Sequence, residues 1–135
     1  MSKADTRATA PRTTATTRIE NGKPKFLYVI YIAAPIERVL LRHPAVSEAA
    51  VYGVPDPTSG DQLVAALVLL APLDAASFGL FLAEQSDLGT KAWPRFVRIV
   101  ESFPRTATNK VLKRELQAGP VDATWTREER GRTYR

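Results

Sequence analysis

The chain has 135 residues, a formal net charge of +5, no cysteine and a single histidine, His43. This length is enough for one domain with a modest hydrophobic core. The lack of cysteine excludes disulfides, thiolate metal sites and a cysteine nucleophile, and one histidine is too few for an ordinary zinc site. We therefore predict no metal-binding residue.

The positive charge lies at the two ends of the chain. Residues 1–25 carry six basic and two acidic side chains, residues 126–135 carry four and two, and nine basic against ten acidic side chains remain between them. A domain that binds nucleic acid normally carries its excess charge on a folded face. We therefore predict no nucleic-acid partner.

The first 35 residues divide into two segments. Residues 1–25 are rich in Thr, Ala and Arg, with almost no large apolar side chains, and are predicted to be a disordered tail. Residues 26–35 are an apolar segment that continues into Ile36, and this run is too short to span a bilayer as a helix. Its aromatic and β-branched content favours a buried β-strand, although the lysines before it and the Ala33-Ala34 pair within it also fit an export signal.

Residues 36–118 predict a small α+β domain, with helices packed on a short sheet of about three strands. The predicted elements are a helix from Ile36 that ends near His43, strands at 49–54, 63–70 and 96–100, a helix capped by Asp74, and a helix capped by Thr108 or Asn109 that runs through Leu116. Residues 119–135 are predicted to be a loosely held polar tail.

Most catalytic motifs are missing from the sequence. There is no G-x-G-x-x-G, P-loop or nucleophile-elbow pattern. Asp56 and Asp61 lie in a turn, where aspartate is favoured by local hydrogen bonding. His43, at the end of a predicted helix, is interpreted as a cap or surface residue.

The segment at residues 103–116 is the best candidate for a site. A Thr-rich loop places Lys110 at the start of a predicted short helix, where unpaired N–H groups and a mobile ammonium together suit a phosphate or a carboxylate. Thr108 and Asn109, beside the lysine, are the candidate cofactor-binding residues. The alternative, judged from the spacing of these residues alone, is that Lys110 is a solvated surface lysine without a function.

Four motifs, in order, resemble those of the adenylate-forming (AMP-binding) enzymes. Residues 104–110 read PRTATNK, which is similar to the signature P-[RK]-T-x-[ST]-G-K near the C-terminus of that family. Upstream lie HPAV at 43–46, AAVYGVPD at 49–56 and WPR at 93–95, each similar to a family motif. The resemblance covers residues 36–116 and is nearest to the acyl-CoA synthetases (fatty-acid–CoA ligases).

The resemblance implies the fold and the role of the family's C-terminal domain. Lys110 would reach into the cleft of a large N-terminal adenylation domain, contact the substrate carboxylate and the α-phosphate of ATP, and withdraw when the small domain rotates for thioester formation with CoA. ATP, Mg and CoA would be used by the complete enzyme, with none bound by this domain alone. The implied partners are the large domain, the acyl-adenylate and CoA, and the implied location is the cytoplasm, with no membrane partner.

Two departures from the family pattern affect these expectations. Asn109 replaces the glycine before the lysine, and because asparagine tolerates a left-handed backbone, the loop is expected to keep its shape. Upstream, only Ile36-Glu37 matches the family, and the hinge acid and a loop glycine are missing. This pattern suggests a truncated or frame-shifted gene copy that is inactive alone, and the alternative is a non-catalytic remnant or a protein-interaction module.

Overall fold

The computed structural model describes residues 19–20, 23–56, 60–128 and 131–135. The helices are α1 (Lys25–Leu40), α2 (Ala75–Ala83) and α3 (Lys113–Ala118), with a 3₁₀ turn at Thr90–Ala92. The strands are β1 (Ile19–Glu20), β2 (Lys23–Pro24), β3 (Val46–Asp56), β4 (Gly60–Leu69), β5 (Phe96–Ile99) and β6 (Trp125–Thr126). Of the predicted disordered tail, β1 pairs with β2, and residues 1–18 and 21–22 lie outside the described residues.

The main sheet has the strand order β3-β4-β5-β6. The long antiparallel pair β3–β4 matches the two strands predicted around a turn, and β5 joins β4 in parallel after the connection through α2. The short strand β6 then pairs antiparallel with β5. The predicted α+β class is confirmed, and the fourth strand comes from the segment predicted to be a polar tail.

Both faces of this sheet are covered, which explains why its central strand is almost uniformly apolar. Every residue from Leu63 to Leu67 in β4 is buried. Val51 faces the larger cluster, beneath α1 and α2, whereas its neighbour Tyr52 faces the smaller cluster, beneath Phe103 and α3. The period-two alternation of a strand therefore supplies two hydrophobic layers at once.

Helix α1 contradicts the prediction of a strand at residues 26–36. Its core-facing side chains are Val29, Ile32, Ala33, Ile36 and Leu40, and their spacing is that of one helical face. The apolar segment is thus continuous with the helix predicted from Ile36. Burial of this stripe outweighs the modest β propensity of the aromatic and β-branched residues.

The helix begins close to strand β3. A Cβ built on Gly53 would lie 3.1 Å from Cγ2 of Val29, which is a tight approach. Pro35 lies inside α1, where it removes one backbone donor. Both Pro35 and Tyr31, whose carbonyl would have been the acceptor, are exposed, so water can satisfy that carbonyl.

Helix α2 begins as predicted at Asp74. The Asp74 carboxylate accepts a hydrogen bond of 2.7 Å from the Ser77 backbone N–H, and this bond lowers the pKa of Asp74 below its ordinary value. His43 lies nearby, where its Nδ1 accepts from the backbone N–H of Ala45 at 3.0 Å and its ring packs edge-on against Phe81. His43 therefore stabilises the turn after α1, in agreement with its interpretation as a cap.

The C-terminal segment contradicts the expectation of a loosely held tail. Trp125, Arg127 and Tyr134 are buried. The Arg127 guanidinium donates to the carbonyls of Trp93 (3.0 Å), Gly131 (3.0 Å) and Glu128 (3.1 Å) and makes a longer contact with Pro94 (3.4 Å). The Tyr134 hydroxyl donates to the Pro94 carbonyl at 2.6 Å, and burial raises its pKa. The polar composition of this segment suggested exposure to solvent. Its Arg127 is instead buried and donates its hydrogen bonds to backbone carbonyls.

None of the helices in the described residues is long and apolar enough to cross a membrane.

Candidate functional site

The candidate lysine lies in a tight hairpin that follows strand β5. The Leu112 N–H donates to the Pro104 carbonyl at 2.8 Å, and the Thr106 N–H donates to the Lys110 carbonyl at 2.9 Å. Arg105 and Val111 face each other as an isolated antiparallel bridge. The loop at residues 104–112 (the signature loop) is therefore a defined structure and not an irregular excursion.

The tip of the signature loop is closed by its polar residues. The Asn109 N–H donates to the Thr106 carbonyl at 2.9 Å, and the Lys110 N–H donates to Thr106 Oγ1 at 3.1 Å. The hydroxyls of Thr106 and Thr108 are 3.0 Å apart. Asn109 has a φ of 71°, the left-handed conformation that a glycine would adopt easily. Asn109 therefore adopts the left-handed backbone that asparagine was expected to tolerate.

The predicted helix start is wrong. Helix α3 begins at Lys113, with Leu112 at the N-cap position and no side-chain cap. Thr108 and Asn109 do not cap it, because they lie in the turn of the loop, several residues before the first residue of the helix. Lys110 is exposed before the helix, so the cation that the loop offers is the lysine side chain itself and not a helix terminus.

Arg105 connects the signature loop to the sheet. Its Nη1 donates to the Asn109 carbonyl at 3.0 Å, and its Nη2 forms an ion pair with Glu48 Oε1 on strand β3. One guanidinium thus holds both the peptide group before Lys110 and a carboxylate of the sheet. Sequence analysis missed Glu48, which lies between two quoted motifs and carries no signal of its own.

A second connection follows the loop. Glu37 Oε2 accepts a hydrogen bond from the Val51 N–H at 2.7 Å and pairs with Lys113 Nζ at 2.6 Å. Gln117 Nε2 donates to the Gly53 carbonyl at 2.7 Å. Strand β3 lies at the edge of the sheet, so these side chains satisfy backbone groups that the edge would otherwise present to solvent. The Ile36-Glu37 match was the only sequence signal for this position.

The structure brings Thr108, Asn109 and Lys110 together at one exposed loop tip. In contrast, Asp56 and Asp61 belong to the β3–β4 hairpin. Among the described residues, no three His, Asp or Glu side chains are grouped as they would be to hold a metal ion.

Comparison with known families settles what this domain is. The profile of the AMP-binding enzyme C-terminal domain matches residues 35–110, which is more than half of the chain and ends on Lys110. The chain belongs to this family.

Two relatives are more than half identical to this chain over the segment that they share with it. A medium/long-chain-fatty-acid–CoA ligase from Mycobacterium marinum is 59% identical over 91 residues, which is 66% of this chain and 18% of the ligase. A steroid-22-oyl-CoA synthetase from Rhodococcus jostii is 54% identical over 87 residues, which is 63% of this chain and 16% of the synthetase. The chain thus spans less than a fifth of the length of either relative.

Solved structures of similar sequence have the same fold. The o-succinylbenzoate CoA synthetase of Bacillus subtilis, in complex with an acyl-adenylate intermediate, superposes with a TM-score of 0.59 at 35% identity, over 65% of this chain and 18% of that one. A fatty acyl CoA synthetase of Mycobacterium tuberculosis gives a TM-score of 0.57 at 31% identity, over 64% and 17% of the two chains. The fold expected from the resemblance is therefore confirmed.

Proposed function

We propose that this chain acts as the C-terminal lid domain of an acyl-CoA synthetase and supplies Lys110 for the adenylation step. The observation that carries the proposal is the geometry of the signature loop: an exposed lysine lies at the tip of a hydrogen-bonded hairpin that is tied to the sheet. A cation held at the tip of such a hairpin can be delivered to the cleft of another domain without refolding.

The chemistry assigned to Lys110 is electrostatic. When a carboxylate attacks the α-phosphate of ATP, negative charge gathers on the phosphoryl oxygens, and a fixed ammonium there lowers the barrier. Lysine suits this role because its ammonium is a compact charge with three donors, carried far from the backbone. We assign nucleotide, Mg and acyl binding to a large adenylation domain that works with this one.

The names of the relatives guide the proposed substrate. The Mycobacterium marinum relative is a medium/long-chain-fatty-acid–CoA ligase, and the Rhodococcus jostii relative is a steroid-22-oyl-CoA synthetase. We therefore propose that the complete reaction converts a hydrophobic carboxylic acid, with a fatty acid as the first choice, to acyl-AMP and then to acyl-CoA. The cytoplasm, which supplies ATP and CoA, is the proposed location.

The test joins the full chain to the large domain of the Mycobacterium marinum relative in place of its own C-terminal domain. Adenylation is measured as fatty-acid-dependent ATP–pyrophosphate exchange. The fusion should exceed the large domain alone, and Lys110→Ala should reduce exchange by about 100-fold or more, the loss expected when one charge-stabilising group is removed.

A matched control is Lys91→Ala. Lys91 is also exposed, but it precedes β5, whereas the signature loop follows that strand. The control should retain the exchange rate of the unsubstituted fusion. A Lys110→Ala fusion as active as the Lys91→Ala fusion would refute the proposal, and a fusion no more active than the large domain alone would favour the non-catalytic alternative.

A further inference from the structure

The hydrogen bonds inside the signature loop fix its shape but not its direction relative to the sheet. The bonds at its tip join Thr106 to Asn109 and Lys110, and all of these residues would move together if the loop tilted as a unit. A lysine that must reach one point in another domain needs its loop held against the rest of the fold as well.

Arg105 makes that connection before the lysine. Its guanidinium bridges the Asn109 carbonyl, which belongs to the peptide bond that Lys110 completes, and the Glu48 carboxylate on β3. The side chain of Arg105 is only 28% exposed, so solvent screens this ion pair less than a fully exposed one. Glu48 and Arg105 are 57 residues apart in sequence, which makes the pair a tertiary constraint and not a feature of the local turn.

The contact needs the geometry of arginine. The planar guanidinium presents several N–H donors at fixed angles and can therefore hold a carboxylate and a carbonyl at the same time. A lysine could approach either acceptor as a point charge but would not fix the angle between them.

We infer that Arg105 is a positioning residue for Lys110, and that the Glu48–Arg105–Asn109 bridge sets the direction in which the lysine leaves the domain. This inference rests on the function proposed for Lys110. It assigns no contact between Arg105 and substrate: the arginine acts through the backbone at Asn109.

The activity test uses the same fusion, with Arg105→Gln, Arg105→Lys and Glu48→Gln. Adenylation should fall by about 10- to 100-fold in Arg105→Gln, because a displacement near 1 Å can have that effect on a reaction. Arg105→Lys should restore little of the lost rate, and Glu48→Gln should have a smaller effect than Arg105→Gln. Thioester formation from supplied acyl-adenylate and CoA should change by less than about twofold in every variant, because Lys110 is proposed for the first half-reaction only.

The matched control is Arg42→Gln. Arg42 also makes an ion pair with a carboxylate, that of Asp87 at 2.6 Å, but this pair ties the end of α1 to the segment after α2 and not to the signature loop. Its loss should leave both half-reactions at the rates of the unsubstituted fusion. A loss shared by both half-reactions in Arg105→Gln would indicate a general structural defect and would overturn the inference.

A measurement on the chain alone separates this inference from the proposed function. In ¹⁵N-labelled Arg105→Gln chain, the backbone heteronuclear NOE should fall at Asn109 and Lys110 and remain unchanged at Val51, which Glu37 holds. An unchanged NOE at the loop would overturn the positioning role whatever the activity. If Lys110→Ala lowers adenylation but Arg105→Gln does not, the inference fails and the proposed function stands. If Lys110→Ala has no effect, the proposed function fails, and the NOE alone decides whether Arg105 orients the loop.

Discussion

The buried arginine of the C-terminal segment offers a direct test of how that segment is held. Arg127 is 6% exposed and donates to the carbonyls of Trp93, Glu128 and Gly131 at 3.0 to 3.1 Å. Arg127→Met keeps an unbranched apolar stem and removes every side-chain donor. The buried Trp93 carbonyl then loses its hydrogen bond from Arg127, whereas the Pro94 carbonyl keeps its bond from Tyr134.

The magnitude follows from these contacts. Hydrogen bonds from a charged group contribute about 1.5–3 kcal/mol each, but the arginine also loses its hydration on folding, so we expect Arg127→Met to lower the free energy of unfolding by about 3 kcal/mol. With a urea m-value of about 1–1.5 kcal/mol/M for a domain of this size, the unfolding midpoint should fall by about 2–3 M. Arg127→Lys, which keeps the charge without the planar fork, should lie between Met and the unsubstituted chain.

Tryptophan fluorescence is the natural assay. The chain has two tryptophans: Trp93 accepts a hydrogen bond from Arg127, and Trp125 lies on strand β6 two residues before it. Arg132→Met is the matched control, because the Arg132 side chain lies in the same segment but is exposed. Surface substitutions usually change the free energy of unfolding by no more than about 0.5 kcal/mol. If Arg127→Met and the control differ by less than this, the contacts of Arg127 do not hold the segment and the reasoning is refuted.

Two further predictions concern one φ angle, that of Asn109, and one capping hydrogen bond, that of Asp74. Asn109→Gly should retain the melting temperature and the adenylation rate of the fusion. Asn109→Val should lose about 1–2 kcal/mol of stability and much of that rate, because a β-branched residue is strained at a φ of 71°. Equal melting temperatures for the two variants would contradict this prediction. The lowered pKa of Asp74 means that its stabilising contribution is complete above the ordinary aspartate pKa of about 4 and is lost as the pH falls through the lower pKa of the folded state. The melting temperature of the unsubstituted chain should therefore fall more between pH 6 and about pH 2.5 than that of Asp74→Asn, whose amide oxygen still accepts from Ser77 but does not titrate; parallel acid profiles would argue against the cap.

Local patterns predicted local structure well. The strands β3 and β4, the capped start of α2 and the left-handed Asn109 each depend on a few consecutive residues, and the structure confirms them. The four ordered motifs predicted the family, and the profile match to residues 35–110 confirms it. The catalytic role of Lys110 stays a prediction, because it depends on the cleft of a separate adenylation domain.

Long-range contacts decided what the sequence left open. Residues 26–36 have the composition of a strand, and only their packing against the sheet shows why they join α1. The polar segment after Gly119 became the fourth strand because Trp125 and Tyr134 meet Phe78 of α2 in the core. Both outcomes depend on partners far away along the chain, which no window of neighbouring residues contains.

The sequence by itself therefore determined the identity of the signature loop and the residue at its tip. The tertiary structure decided how that tip is aimed, through Arg105 and the distant Glu48. The physical reason is that turn chemistry is settled by φ preferences and hydrogen bonds between near neighbours, whereas the direction of a loop is set by side chains that meet only after the sheet has formed.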